Sequence, residues 1–322
     1  MFAYYLQASR RESLDRLRSV LEAVSAADAV VVSPGRAPLG WPSSWVSLGS
    51  ADPESWRTWL VAHRPSTVVV DGSEEHLRIA KKSAHKVAVV AAPGGAMAPG
   101  PAGTAYADAD LVLAPWPAGG ADGRPSDGPD RTLHLGAVGW AARRAVRRRR
   151  PRIMRAEDRW ACVHLVPSAG GPGPRERRDL VDETPGWRWW VANESDVLCD
   201  GPTWDHLLRA DVVACAPTPG NLAAVAAARI PAVLTLTDAP TSSELFLAGL
   251  AQQTAPVVVL RSPRTCEQWR LALIRARELD GAAWATWDPE PALNRLHEAL
   301  SPNPPDASIP QPRAMRTGLT SV

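Results

Sequence analysis

The segment from Ala210 to Glu244 carries the residue types best placed to bind a ligand. It reads as a buried strand, a Pro/Gly turn, an Ala-rich helix, a second buried strand and a polar loop. Thr218, Gly220 and Asn221 stand at the turn that opens the helix. Backbone N–H groups and the helix dipole attract phosphate at such an N-terminus. We therefore expect these three residues to line a phosphate-binding cleft.

Asp71 and Ser73 form a second candidate group, because they follow the buried run STVVV. Ligands bind outside the carboxyl ends of the strands in open α/β sheets, so both residues are expected to face the cleft. Asp71 is also a candidate general base. A local turn in which Ser73 caps the next helix explains both residues too, and it is the favoured interpretation.

A glycine-rich turn at residues 167–173 follows the first strand in the second half of the chain. The backbone around Gly170 and Gly171 could cradle a diphosphate. A surface loop that binds nothing explains these glycines equally well.

No residue pattern indicates a metal, a cofactor or a hydrolase site. The seven histidines form no HxxxH or HxH pair, and the four cysteines form no CxxC pair. A GxSxG elbow is also missing around the candidate serines. Widely spaced cysteines indicate free thiols in a reducing compartment, and the N-terminus lacks an apolar signal core. We therefore expect a cytoplasmic protein without a metal or cofactor.

The overall charge gives no bias toward nucleic acid, because the formal net charge is +2. Arginine is concentrated in the run 143–152, which could bind phospholipid headgroups or nucleic acid. A solvated linker explains the run as well and is the favoured interpretation. Peripheral membrane contact therefore stays open, whereas nucleic acid is not expected as a partner.

Short β-branched runs, separated by helical patterns, organise the chain into two α/β series. The runs do not alternate between apolar and polar residues, which indicates parallel sheets covered on both faces. Doubly wound, Rossmann-like layers follow from the handedness of such crossovers. The predicted segments are an N-terminal domain over 1–140, a basic interdomain linker over 141–157, a C-terminal domain over 158–300 and a disordered tail over 301–322. Ser13 is expected to cap the first helix.

The order and spacing of several segments resemble GT-B glycosyltransferases, in particular an actinobacterial group similar to the MurG-type UDP-GlcNAc transferases of glycosyltransferase family 28. The resemblance spans most of residues 1–300. It is carried by WPSSW (41–45), VVVDGSEE (68–75), YADADLVLAPWP (106–117), HLGAVGW (134–140), TPGWRWWVA (184–192), LLRADVV (207–213), AAVAAARIPAV (223–233) and CEQWRLALIRARELDGAAWATW (266–287). It implies two Rossmann-like domains facing across a cleft, with the acceptor side in the N-terminal domain and the nucleotide-sugar donor side in the C-terminal domain. Most of the fourteen tryptophans fall in such segments, which favours packing over stacking on a ligand.

The loop after the first strand departs from the family pattern. In the family it is of the type HHGxGH, and its last histidine is the favoured general base. The matching residues 7–13 read QASRRES, so Arg10 and Glu12 replace the glycines and Ser13 takes the base position. A serine hydroxyl cannot accept a proton there without help. Glu12 is a candidate base, although a solvated loop charge is favoured, and Ser9 and Ser13 are candidate cleft residues.

The donor side departs from its pattern too, which in the family resembles HAGxN…AE followed by a D-[EQ]-Q loop. The positions of His, Gly, Asn and Glu are held here by Ala216, Thr218, Gly220 and Ala224. In the later loop, Ser243 replaces an acidic residue that would contact the sugar, and Glu244 occupies the last position. Each lost charge-assisted hydrogen bond costs about 1.5–3 kcal/mol, so several losses would remove most of the affinity for a nucleotide sugar.

These losses predict a pseudoenzyme with a glycosyltransferase-like scaffold. It would assist a partner glycosyltransferase or bind a related small ligand. The alternative is an active transferase that uses Glu12 or Asp71 as its base. In that case it would move a hexosyl or N-acetylhexosaminyl group from a UDP- or dTDP-sugar. A third hypothesis is an interaction protein that works through its arginine run.

Overall fold

The computed structural model describes two α/β sheets and the helices around them. The described residues are 1–7, 11–23, 29–38, 41, 44–93, 106, 108–118, 132–138, 160–165, 181–182, 184, 186–192, 202–262, 264–288 and 290–300. Ser9, Gly170, Gly171, the predicted linker 141–157 and the predicted tail 301–322 lie outside them. The predictions made for those residues therefore stay predictions.

The first sheet has seven strands, all parallel, in the order β3-β2-β1-β4-β5-β6-β7. They are β1 (Phe2–Leu6), β2 (Ala29–Ser33), β3 (Ser44–Ser47), β4 (Thr67–Asp71), β5 (Lys86–Val90), β6 (Leu111–Ala114) and β7 (Thr132–His134). The strand order reverses direction between β1 and β4, and their carboxyl ends meet because Leu6 pairs with Asp71. Open α/β sheets bind ligands at such a point.

The second sheet has five parallel strands in the order β12-β11-β10-β8-β9. They are β8 (Trp160–Leu165), β9 (Trp187–Ala192), β10 (Val212–Cys215), β11 (Ala232–Leu236) and β12 (Val257–Arg261). Every residue of β10 and β11 is buried, as expected for central strands covered on both faces. The two parallel sheets confirm the predicted α/β class.

Helices lie between and after the strands along the chain. They are α1 (Arg11–Ala23), α2 (Pro53–His63), α3 (Glu74–Lys81), α4 (Pro202–Arg209), α5 (Pro219–Ala228), α6 (Ser242–Thr254), α7 (Cys266–Arg277), a 3-10 helix (Gly281–Trp287) and α8 (Glu290–Leu300). Asp52 caps α2, and Pro53 supplies its first helical residue. The prediction that Ser13 caps α1 was wrong, because α1 begins at Arg11 and the Ser13 hydroxyl accepts a hydrogen bond from Arg16 instead.

Buried tryptophans fill the space around both sheets. Trp56 lies under α3 and donates its indole N–H to the His76 carbonyl at 3.3 Å. Trp284, in the 3-10 helix, donates to the Ile230 carbonyl at 2.8 Å. Trp269 is 1% exposed. These positions agree with the predicted packing role.

The last helix, α8, returns to the first sheet although it follows the second in sequence. Its Leu296 and Leu300 are buried in one cluster with Leu17 and Val20 of α1. Just before α8, the Trp287 carbonyl accepts the Ala137 N–H at 2.8 Å. The predicted second domain, 158–300, therefore includes a helix that packs on the first sheet.

We expect Gly136→Ala to destabilise the junction between Ala137 and Trp287. Gly136 has a φ of 69°, and a Cβ there would lie 2.8 Å from the Trp287 carbonyl oxygen. Gly49 is a matched control, because its φ is 72° and a Cβ there would meet nothing within 4 Å. In urea unfolding, Gly49→Ala should cost about 1–2 kcal/mol, the price of a left-handed conformation. Gly136→Ala should cost at least about 1 kcal/mol more, from the added clash. Equal losses of stability in the two variants would show that the backbone around Trp287 moves to accommodate the added methyl group at little cost.

Candidate functional site

The carboxyl end of β4 holds a buried polar network built around Asp71. Arg16, on α1, approaches Oδ2 of Asp71 with two nitrogens, Nη2 at 2.7 Å and Nε at 3.2 Å. The Tyr4 hydroxyl, on β1, donates to the same oxygen at 3.1 Å. The side chains of Arg16 and Asp71 are only 11% and 15% exposed. Three donor groups thus converge on one carboxylate oxygen that is largely withdrawn from water.

This network fixes the charge states of Tyr4 and Arg16. Burial raises the pKa of the Tyr4 hydroxyl well above its ordinary value, and the charge of Asp71 raises it further. Burial opposes the charged form of Arg16, but Asp71 and Tyr4 outweigh it, so the pKa of Arg16 is also raised. Tyr4 therefore remains a hydrogen-bond donor, and Arg16 remains a cation.

Asp71 acts here as a structural anion. Accepting a proton on Oδ2 would break both the ion pair with Arg16 and the hydrogen bond from Tyr4. The Arg16 guanidinium would then be buried without a counter-charge, a situation that costs about 3–5 kcal/mol in buried pairs. The geometry thus opposes the candidate role of Asp71 as a general base.

Ser13 and Glu12 lie in the first turn of α1, beside this network. The Ser13 hydroxyl accepts a hydrogen bond from Nη2 of Arg16 at 3.3 Å. The serine at the expected base position therefore helps to hold the guanidinium. Glu12 is placed in the helix, but its side chain lies outside what the structure describes, so it stays a candidate.

Ser73 occupies the position before α3, but its side chain does not cap the helix. Its hydroxyl lies 2.6 Å from Nδ1 of His76 instead. His76 is 2% exposed, and its ring stacks on Tyr5 with 4.5 Å between the centroids. Ser73 does hold the predicted position before the helix. Its hydroxyl does not make the predicted cap bond, because it bonds to the imidazole of His76, three residues later.

The turn before α5 satisfies its own polar groups. The Thr218 hydroxyl accepts the Asn221 N–H at 3.2 Å, and the Thr218 N–H bonds to the Ala216 carbonyl at 2.8 Å. The Asn221 side chain is buried and donates to the same carbonyl at 3.1 Å. Pro219 has no N–H, so among these residues Gly220 alone keeps a backbone donor for a ligand. A phosphate site at a helix N-terminus normally uses several backbone N–H groups, so a single N–H would bind phosphate more weakly.

Two positions of the family's donor motif are closed by packing. Ala216 and Ala224, which replace its His and Glu, are 2% and 1% exposed. Ala224 belongs to an apolar cluster that includes residues of both sheets. A carboxylate at that position would enter the core, where an unpaired charge is strongly disfavoured.

Glu244 is used by the helix that it begins. Its Oε2 accepts the Thr241 N–H at 2.7 Å and the Thr241 hydroxyl at 3.0 Å, while the Thr241 hydroxyl accepts the Glu244 N–H at 3.2 Å. This reciprocal arrangement is a capping box for α6. The carboxylate expected to face a sugar is therefore committed to the helix terminus.

The start of α6 also joins the two sheets. The Ser243 hydroxyl donates to the Pro93 carbonyl, just beyond β5, at 2.6 Å. One turn further, Phe246 meets Trp116 edge-on, with 5.3 Å between the ring centroids. The loop that would contact a donor sugar thus contacts the opposite domain.

Arg16, Tyr4 and His76 were not predicted as site residues. Arg16 follows Ser13 at i+3, and His76 follows Ser73 at i+3, so helical spacing alone could have paired them. Tyr4 gave no local signal, because it meets Asp71 only through the pairing of β1 with β4.

Neither a metal centre nor a membrane span is found in the described part of the chain. No three His, Cys, Asp or Glu side chains come close enough there to hold a metal ion. None of its helices combines the length and apolar character needed to cross a bilayer.

Solved glycosyltransferases share this architecture, although no protein-family profile and no curated protein sequence matches the chain. MurG from Acinetobacter baumannii is similar with a TM-score of 0.61 and 11% identity, over 93% of this chain and 98% of that chain. The calicheamicin glycosyltransferase CalG4 gives 0.57 and 12%, over 93% and 94%. The spinosyn rhamnosyltransferase SpnG, complexed with thymidine diphosphate, gives 0.56 and 15%, over 93% and 97%. The chain therefore has the GT-B fold that its sequence predicted.

We expect Asp71→Asn to lower the free energy of unfolding by about 3 kcal/mol, because it leaves the Arg16 guanidinium buried without its partner. Glu267→Gln is the matched control. It breaks an ion pair with Arg270 whose side chains are 60% (Glu267) and 49% (Arg270) exposed, so water screens the pair and the free energy of unfolding should change little. Urea unfolding measures both. A loss for Asp71→Asn as small as that of the control would contradict a structural role.

We also expect alkaline pH to destabilise the protein through Tyr5. Its hydroxyl is buried without a hydrogen-bond partner among the described residues. Burial, with a smaller effect of Asp52, raises the pKa of Tyr5 from 10.0 to about 12. The pKa of Tyr5 is thus higher in the folded state than in the unfolded state. The folding stability that this difference contributes is complete below pH 10 and is lost as the pH rises toward 12.

Tyr5→Phe should therefore lose less stability between pH 7 and pH 11 than the wild type, as measured by urea unfolding. At pH 7 it should be nearly neutral, because no hydrogen bond is removed. Tyr4→Phe is the matched control at pH 7, where loss of the bond to Asp71 should cost about 1.5 kcal/mol. Equal effects of the two variants at pH 7 would contradict the different environments of the two hydroxyls.

Proposed function

We propose that this GT-B protein has lost nucleotide-sugar transfer and acts as a pseudoenzyme, as an auxiliary partner of an active glycosyltransferase or as a binder of a related small ligand. The observation that carries the proposal is that the donor-side polar groups bond within the protein. The Glu244 carboxylate completes a capping box, the Ser243 hydroxyl bonds to Pro93, and the Asn221 amide bonds to Ala216.

A nucleotide sugar would have to compete with these internal bonds. Buried alanines at positions 216 and 224 offer it nothing in return. Three lost contacts of about 1.5–3 kcal/mol each add to roughly 4.5–9 kcal/mol. Such a deficit weakens a micromolar complex by about a thousandfold or more. Binding in the usual pose would then fall into the millimolar range or beyond.

The acceptor side supports the same proposal. A transferase needs a base that can take the proton of the acceptor hydroxyl. Ser13 holds the position of the family's histidine and bonds to Arg16, and the Asp71 carboxylate is neutralised by the same guanidinium. Among the residues whose side chains are described, neither candidate is free to act as that base.

Nucleotide binding tests the proposal. SpnG has been solved with thymidine diphosphate, so dTDP, UDP and UDP-N-acetylglucosamine are the appropriate probes. We expect 1 mM of each to leave the melting temperature unchanged. A ligand at 100 times its Kd would add about 2.7 kcal/mol, so a Kd near 10 μM could not be missed. Micromolar binding together with sugar turnover would contradict the proposal and favour an active transferase.

A double variant distinguishes a nucleotide site that has lost its polar groups from an intact site that is blocked by α6. Ser243→Ala combined with Phe246→Ala removes the contacts of α6 with Pro93 and Trp116. The proposal expects this variant to bind the three probes no better than the wild type, because the missing polar groups are not restored. Micromolar binding by the variant alone would show an intact site held shut.

A further inference from the structure

Ser73 and His76 form a hydrogen-bonded pair at the carboxyl edge of the first sheet. The Ser73 hydroxyl lies 2.6 Å from Nδ1 of His76. Ser73 is half-buried, whereas its neighbours Gly72 and Glu74 are exposed. The hydroxyl is therefore within reach of a small molecule, while the imidazole behind it is shielded from water.

One contact holds the imidazole ring of His76, and a second holds the backbone that carries it. Its ring stacks on Tyr5, with 4.5 Å between centroids and 20° between planes. Trp56 donates its indole N–H to the His76 carbonyl. A histidine fixed in this way keeps Nδ1 directed at the hydroxyl, which is the orientation that a general base requires.

Burial keeps His76 neutral near pH 7. Burial lowers the pKa of His76 below its ordinary value, although the Ala51 backbone and the charges of Glu75 and Asp52 act in the opposite direction. Tyr5 stays protonated, because burial raises its pKa to about 12. A neutral imidazole whose Nε2 carries the hydrogen accepts a proton at Nδ1.

The start of α3 complements this pair. Because the Ser73 hydroxyl turns to His76, it caps none of the first-turn N–H groups of α3. Such N–H groups stabilise an oxyanion that develops beside them. Glu74 and Glu75 are exposed in the same turn and repel anions, so a neutral substrate fits this place better than a charged one.

We propose that Ser73 and His76 act as nucleophile and base toward a neutral activated ester, independently of any nucleotide-sugar site. The Ser73 Oγ bonds to the carbonyl carbon while its proton passes to Nδ1 of His76. The bond to the leaving alcohol then breaks, and that alcohol takes the proton from His76. Water then gives a proton to His76 as it attacks the acyl carbon. The bond from that carbon to Oγ breaks, and Oγ takes the proton from His76, which releases the acid and restores the serine hydroxyl.

Fluorophosphonate labelling of the full chain tests this proposal. In that reaction the serine Oγ bonds to phosphorus, fluoride leaves, and His76 takes the proton. We expect one adduct at Ser73 by peptide mass spectrometry and none with Ser73→Ala. Ser83→Ala is the matched control, because Ser83 lies just beyond the other end of α3 and bonds to the Ile79 carbonyl. It should label like the wild type. No adduct, or an adduct elsewhere, overturns the proposal.

His76→Gln should label at least about 100-fold more slowly, as expected when a general base is removed. Because His76 is buried, this variant is informative only if its melting temperature is retained. The pH profile of the wild type needs no variant. As the pH is raised, the labelling rate should increase through the lowered pKa of His76 and reach its plateau before pH 7. A rate that follows hydroxide concentration from pH 5 to pH 9, or unchanged labelling of a folded His76→Gln, overturns the proposal.

Discussion

The ion pair between Arg16 and Asp71 is the constraint on which the first half of the cleft depends. It joins α1 to the end of β4, and the Tyr4 hydroxyl adds β1 to the same oxygen. A buried charge is tolerated only while its partner stays in place. Once the pair is present, the carboxylate that could have reacted at this edge serves instead to position the helix against the sheet.

The turn before α5 and the loop before α6 follow the same rule with weaker groups. Thr218 and Glu244 satisfy N–H groups at helix termini, the Asn221 amide bonds to the Ala216 carbonyl, and Ser243 bridges to the other domain. None of these bonds depends on a ligand, so the turn and the loop can hold their shape without one. Apolar strands and capped helices define the scaffold, so its shape does not depend on a bound ligand.

The sequence predicted what is local and repetitive. Valine-rich runs such as TVVVD and AVVVS gave buried parallel strands, and the Pro/Gly turn gave the start of α5. The start of α2 is also local, because Asp52 caps it and Pro53 supplies its first residue. The short edge strand β3 has too few residues to produce a pattern. Contacts such as Ser243 with Pro93, 150 residues apart, depend on how two domains meet and leave no trace in local spacing.

Helix α8 has a consequence for biosynthesis. Leu296 and Leu300 complete the apolar layer over α1, yet they are translated long after the strands that they cover. At about 5–20 residues per second, the roughly 150 residues between β7 and α8 take on the order of 10–30 seconds to emerge. During that interval the apolar cluster that contains Leu17 and Val20 lacks the contribution of Leu296 and Leu300, so the nascent first half has an incompletely covered apolar surface. A ribosome that stalls before α8 would release a product prone to aggregate.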